Sequence, residues 1–285
     1  MPIGFQAPLP PTDGWVGHKK EVKRVRGAAC YAALAAHFGT DSPKELEWRV
    51  DGRRPYGRDG DPSISNKYRR WRQGRALPSD ETAARVIERS GGSVRLGFWR
   101  DLPLWELLAP EPPPMQRIHR LLETSPKPIR RILFFNSVPD IMGRFCHTLP
   151  ERDQTLAIRN QYSLDALIVL LCLARKGEML EDDPQHHLPS ACAFDILPRV
   201  LYTHWPLRYR WEHLFACLDR IYWQRVYLDG SCYMYPIKKM RAHLMMLDAD
   251  PAAKLPQKSG KRLRVICDDP LRLAEERILR AISVT

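Results

Sequence analysis

The chain reads as mainly α, with a small N-terminal helical domain followed by a larger C-terminal helical one, and three observations lead to that expectation. Apolar residues recur at three- and four-residue spacing in most segments. Ser, Asp and Pro stand where those segments begin and Gly stands where several of them stop. With 44% hydrophobic and 27% charged residues over 285 positions, the composition is that of a folded globular protein large enough for two domains.

In chain order, residues 1–17 are proline-rich and read as a flexible segment. Residues 19–38 place Val22, Val25, Cys30, Leu34 and Phe38 at helical spacing, and Gly39 ends the run. Asp41 or Ser42 can cap a second helix that has Pro43 at its first position and carries Leu46, Trp48 and Val50 up to Gly52. A third helix is expected over 63–74, with Ser63 or Ser65 as cap, Ile64, Tyr68 and Trp71 as the buried stripe and Gly74 as a left-handed stop. Ser79 caps a fourth that runs through Val86 and Ile87, with Asp80 and Glu81 in the favourable first turn. After Gly91 and Gly92, residues 94–99 suggest a short strand or extended arm, and 102–108 a turn of helix.

The stretch Pro110, Glu111, Pro112, Pro113, Pro114 excludes a helix interior and favours a stiff spacer. The expected organisation is therefore a flexible 1–17, a helical domain over 18–109, a linker at 110–115 and a helical interaction or oligomerisation domain over 116–285. Within the latter, helices are expected at 116–123, 128–135, 163–176, 192–202, 209–222, 237–246 and 270–282. The helix after Ser163 is the most apolar of them.

Charge is the main guide to function. Lys and Arg number 45 against 33 for Asp and Glu, a net charge of +12 that favours a polyanionic partner. The longest apolar run, residues 166–174, is too short to span a bilayer, and no secretory leader is apparent, so a soluble cytoplasmic protein without membrane contact is expected. Seven scattered cysteines without a Cys-x-x-Cys pair argue against a disulfide scaffold or a zinc finger.

The basic residues concentrate on the helix over 63–74, where Lys67, Arg69, Arg70 and Arg72 surround the apolar stripe and no acidic residue lies between Asp61 and Asp80. Ser65, Trp71, Gly74 and Pro78, in that order, resemble the recognition-helix half of Cro/repressor-type helix-turn-helix domains, over residues 63–90. The family's short turn before the recognition helix is replaced here by residues 52–62, and the acidic residue that often follows the Trp is Arg72. The motif is either expanded by a loop or a local likeness. The resemblance implies a helix-turn-helix-like N-terminal domain whose partner is double-stranded DNA.

On the residues themselves, Asn66, Lys67, Arg69, Arg70, Arg72, Gln73 and Arg75 are the candidate nucleic-acid contacts. The basic side chains are expected on phosphate, and Asn66 and Gln73 on base edges. Lys258, Lys261, Arg262 and Arg264, in a basic stretch over 254–264, are secondary candidates. The bland alternative is a solvated basic face on an ordinary amphipathic helix. An RNA or single-strand reading would require Tyr68 or Trp71 on the surface as a stacking platform.

Other clusters suggest little chemistry. Residues 181–187 crowd three carboxylates and two histidines, but His186 and His187 are adjacent rather than a turn apart, so a solvated loop is expected and no metal site. Asp269 and Pro270 look like a helix entry. Cys146 and His147 are neighbours without a positioned third group, and His204, His213 and His243 lie among apolar residues as core or interface histidines. The aromatic-rich stretch over 202–235 reads as core. No catalytic or cofactor motif is present. The expectation is thus non-enzymatic duplex-DNA binding, as a transcription regulator or a docking part of a larger assembly, with the C-terminal domain dimerising or recruiting a protein. The rivals are a helical interaction scaffold with a basic surface and an enzyme whose site is assembled in the C-terminal domain.

Overall fold

The structure, a computed structural model, describes residues 13–52, 66–134, 145, 147–223, 227–228, 231–232 and 235–250, with only the backbone at 13–16, 227–228 and 231–232. It is mainly helical. In chain order the helices are α1 (Asp13–Phe38), α2 (Pro43–Asp51), α3 (Lys67–Arg72), α4 (Asp80–Arg89), α5 (Leu96–Arg100), α6 (Leu104–Leu107) and α7 (Met115–Glu123). They continue with α8 (Lys127–Leu133), α9 (Arg152–Arg159), α10 (Leu164–Met179), α11 (Asp183–Thr203), α12 (Trp205–Arg208), α13 (Trp211–Leu218) and α14 (Ile237–Ala249). A π-helical turn, Asp219–Trp223, follows α13, and Tyr227–Leu228 pairs antiparallel with Ser231–Cys232. None of the described helices is long and apolar enough to cross a membrane.

Two compact units divide the chain. The first joins the described residues within 13–111 to residues 203–221. Its centre is α1, whose residues 27–35 are all buried. Five of those nine are alanines, which favour helix and let neighbours approach from several sides; α2, α3, α5, α12 and α13 all pack on this helix. The core assembled there includes Cys30, Tyr31 and Leu34 of α1, Leu46 and Val50 of α2, Tyr68 and Trp71 of α3, and Val86 of α4. Caps fall largely where the sequence places them. The Ser42 hydroxyl accepts from the Glu45 amide at 3.4 Å, Ser79 accepts from Thr82 at 3.3 Å, and Gly52 closes α2 at φ +67°.

Three expectations for this unit are corrected. Helix α1 begins at Asp13, inside the segment expected to be flexible, and the buried His18 ring fastens it at 2.7 Å to the Leu108 carbonyl. Residues 96–100 form a turn of helix rather than a strand or arm: Leu96 is buried, and the Arg26 guanidinium donates to the Arg100 carbonyl at the helix end. Residues 203–221, assigned from sequence to the C-terminal domain, pack on α1 instead.

The second unit takes in the described residues within 112–202 and 222–250. Its middle is α10, buried continuously from Ala166 to Gly177, capped by Ser163 at 3.1 Å and flanked by α7 and α9. Arg175 is fully buried there, paired with Glu178 at 2.7 Å and lying over the Tyr222 ring. The expected loop over 181–187 is not one. Asp182 caps a helix that starts at Asp183, its carboxylate accepting from the Gln185 amide at 3.0 Å. Pro184 falls in the first turn, where a missing N–H costs nothing. His186 and His187 are buried, the ring nitrogens of His186 facing the Ala174 and Tyr222 carbonyls. A Cβ on Gly177 would stand 2.5 Å from the His186 amide nitrogen, so α10 and α11 meet backbone to backbone. Helix α14 covers the expected 237–246, while 254–264 and 270–282 lie outside the described residues.

Candidate nucleic-acid interface

Helix α3 is described from Lys67 onward; Ser63, Ile64 and Ser65 lie outside the described residues. Asn66 stands at its N-cap position without a side-chain capping bond. Tyr68 and Trp71 turn fully inward and meet edge to face at 4.9 Å, which removes the exposed stacking platform an RNA reading requires. At 100° per residue, the direction opposite this pair carries Asn66 and Gln73 at its centre, with Arg69 and Arg70 to either side. Lys67 and Arg72 fall at the margins of the buried face.

At those margins the two remaining cations are held in ion pairs. Asp51, the last residue of α2, has a side chain only 5% exposed and accepts from Lys67 Nζ at 2.8 Å, the Tyr68 hydroxyl at 3.2 Å and Arg85 of α4 at 2.8 Å. One carboxylate thus ties α2, α3 and α4. Burial pushes the Tyr68 phenol well above its ordinary range, reinforced by the Asp51 charge. On the other margin, Arg72 pairs with Asp41 at 2.7 Å and donates to the Tyr209 hydroxyl at 3.3 Å, which itself donates to Asp41. The Arg210 guanidinium then reaches the Arg72 carbonyl at 3.3 Å, satisfying an end carbonyl of α3. Lys67 and Arg72 are therefore held in ion pairs within the unit rather than freely offered to a partner. The stretch between Asp61 and Asp80 lacks acidic residues, as the sequence shows, but Asp41 and Asp51 arrive from either end of α2.

Arg69, Arg70 and Arg75 make no ion pair among the described residues, and all three are exposed, as is Asn66. Together with Gln73 they line one open cleft of about 550 Å³. A second depression of about 360 Å³ shares Asn66 and Arg70 and extends past Lys67 and Trp71 to Ser79 and Thr82 at the start of α4. Among the described residues, no acidic side chain lines either.

Arg75 reaches this cleft because of Gly74. The chain reverses there at φ +67°, the Arg75 amide donates back to the Arg70 carbonyl at 2.7 Å, and the helix closes in a Schellman motif. A Cβ on Gly74 would lie 2.2 Å from Arg24 Cα, and one on Gly27 would lie 2.9 Å from the Ala76 carbonyl oxygen. The two glycines let the end of α3 rest directly on α1.

Five of the seven primary candidates thus line one cleft, and Lys67 and Arg72 stand beside it in ion pairs. Tyr209 and Arg210, distant in sequence, belong to the support of the site, and no local pattern announces them. Lys258, Lys261, Arg262 and Arg264 lie outside the described residues.

Among the described residues, the histidines and cysteines form no comparable constellation. His204 touches the Trp99 ring edge to face, and exposed His213 pairs with Glu21, which also holds Arg24. His243 is partly buried in α14, and burial lowers its imidazole. His147 bonds Glu123 at 2.7 Å and stacks on His119 at 3.8 Å; Cys146 lies outside the described residues. Cys30, Cys172, Cys192 and Cys217 are buried. Of the aromatic stretch, Phe215, Tyr222, Trp223 and Tyr235 are buried, while Trp205 is exposed.

No protein-family model, curated protein or solved structure matches the chain.

Proposed function

We propose that the first unit binds double-stranded DNA non-covalently through the outer face of α3, as a regulator or as the docking part of a larger assembly. The observation that carries this reading is the cleft itself: Asn66, Arg69, Arg70, Gln73 and Arg75 share one surface that no carboxylate lines among the described residues, while the neighbouring cations are engaged in ion pairs. Unpaired guanidinium groups attract phosphate and release its counterions, and two amides on the same face supply paired donors and acceptors for base edges. The buried Tyr68 and Trp71 favour a duplex over an unstacked single strand, which would need exposed rings.

The test is fluorescence anisotropy of a labelled 30-base-pair duplex titrated with the full chain, followed by competition. Unlabelled duplex should displace the probe at lower concentration than an equal mass of single strand or of poly-glutamate. Displacement by poly-glutamate as readily as by duplex would instead favour an acidic protein partner and overturn the DNA reading.

A further inference from the structure

Asn66 and Gln73 are seven residues apart, so they lie on nearly one line along α3, two turns and roughly 10 Å from each other. Both line the same cleft, and the line they define runs opposite the buried Tyr68 and Trp71. Arg69 and Arg70 diverge from it by similar angles on its two sides. In a helix lying along the major groove, the central line meets base edges and the flanks meet the two backbones. Amide side chains pair bidentately with adenine N6 and N7, whereas surplus arginines hold phosphates.

Resting on the duplex-DNA reading above, we infer that α3 reads two A·T pairs through Asn66 and Gln73, separated by about three base steps, since 10 Å along the groove is about three rises of 3.4 Å. Arg69, Arg70 and Arg75 then set affinity without setting sequence. The backbone supports this division. Asn66 makes no capping bond, so its amide is not spent on its own helix. Arg75 is carried to the cleft by the turn at Gly74, past the helix end.

The experiment is selection of bound duplexes from a library with a random 20-base-pair centre, using the full chain and the variants Asn66→Ala, Gln73→Ala, Arg70→Ala and Arg75→Ala. The expected profile has two adenine positions about three steps apart. Asn66→Ala should flatten one and Gln73→Ala the other, each losing roughly tenfold discrimination. Arg70→Ala and Arg75→Ala should weaken binding to all sequences and leave the profile unchanged. A guanine-dominated profile that disappears in Arg70→Ala would overturn the assignment while leaving duplex binding intact, and so would a wild-type chain that binds every duplex alike. Absence of duplex binding by the wild-type chain would overturn the proposed function itself, and the assignment with it.

Discussion

Removing single cations around α3 should separate those that meet DNA from those that hold the fold. Three arginines of the cleft, Arg69, Arg70 and Arg75, are free of ion pairs among the described residues, so a chain bound to duplex as proposed would neutralise about three phosphates. The logarithm of the binding constant should then fall against the logarithm of salt with a slope of about −2.7 per protomer, taking roughly 0.9 for each phosphate. Raising KCl from about 50 to 200 mM, a fourfold change, should weaken binding about 40-fold. Each of Arg69→Ala, Arg70→Ala and Arg75→Ala should make the slope shallower by about 0.9, and the triple variant should bring it near zero. Lys67→Ala should leave it unchanged, because that ammonium already neutralises Asp51 at 2.8 Å. Its cost appears in stability, about 1 kcal/mol, since Asp51 keeps Arg85 and the Tyr68 hydroxyl after Lys67 is gone. Anisotropy titrations at four salt concentrations, paired with urea unfolding of each variant, measure both quantities. A slope for Lys67→Ala as shallow as that for Arg69→Ala would refute the division of cations.

Gly74→Ala forces a Cβ to within 2.2 Å of Arg24 Cα at a positive φ, and a loss of about 3 kcal/mol in urea unfolding is expected; a loss under about 0.5 kcal/mol would mean that the α1 and α3 backbones do not touch there. Ser163→Ala removes the hydroxyl that accepts from the Ala166 amide and should cost about 1 kcal/mol, with Ser163→Asp restoring most of it. Burial, helped by neighbouring His186, holds the His187 imidazole down at about 4, so the unfolded chain takes the proton first as pH falls. The stability due to neutral His187 is thus complete above pH 6.5 and is lost between pH 6.5 and 4, by about 3 kcal/mol in all. His187→Gln should show a smaller drop between those two pH values, and a drop equal to wild type would remove His187 as the source.

Most helices were legible because their signals are local. Ser42, Ser79 and Ser163 cap where the sequence places them, and Tyr68 and Trp71 are buried because their spacing puts them on one stripe. Helix α11 was partly hidden because three carboxylates and two adjacent histidines over 181–187 read as a solvated loop, although Asp182 and a first-turn proline make an acceptable start and Pro189 is accommodated within the helix. The five residues of the cleft were recognisable from charge and periodicity. What the pattern could not reveal is which cations are already paired. Asp51 is sixteen residues before Lys67, and Tyr209 is 137 residues beyond Arg72, so those contacts depend on how the chain returns upon itself.

The return of residues 203–221 to α1 has a consequence for the timing of folding on the ribosome. A nascent chain that has emerged only as far as the prolines at 110–114 has made the cleft residues but not α12 and α13, and it presents an uncovered face of α1. Arg72 at that moment lacks the Tyr209 hydroxyl, and its carbonyl lacks Arg210. About ninety residues of the second unit, and then residues 203–221 themselves, must be synthesised before the first unit can close. Fragments ending near residue 111 are therefore incomplete forms of the first unit, and cutting the chain at its most obvious sequence boundary would separate the cleft from part of its own support.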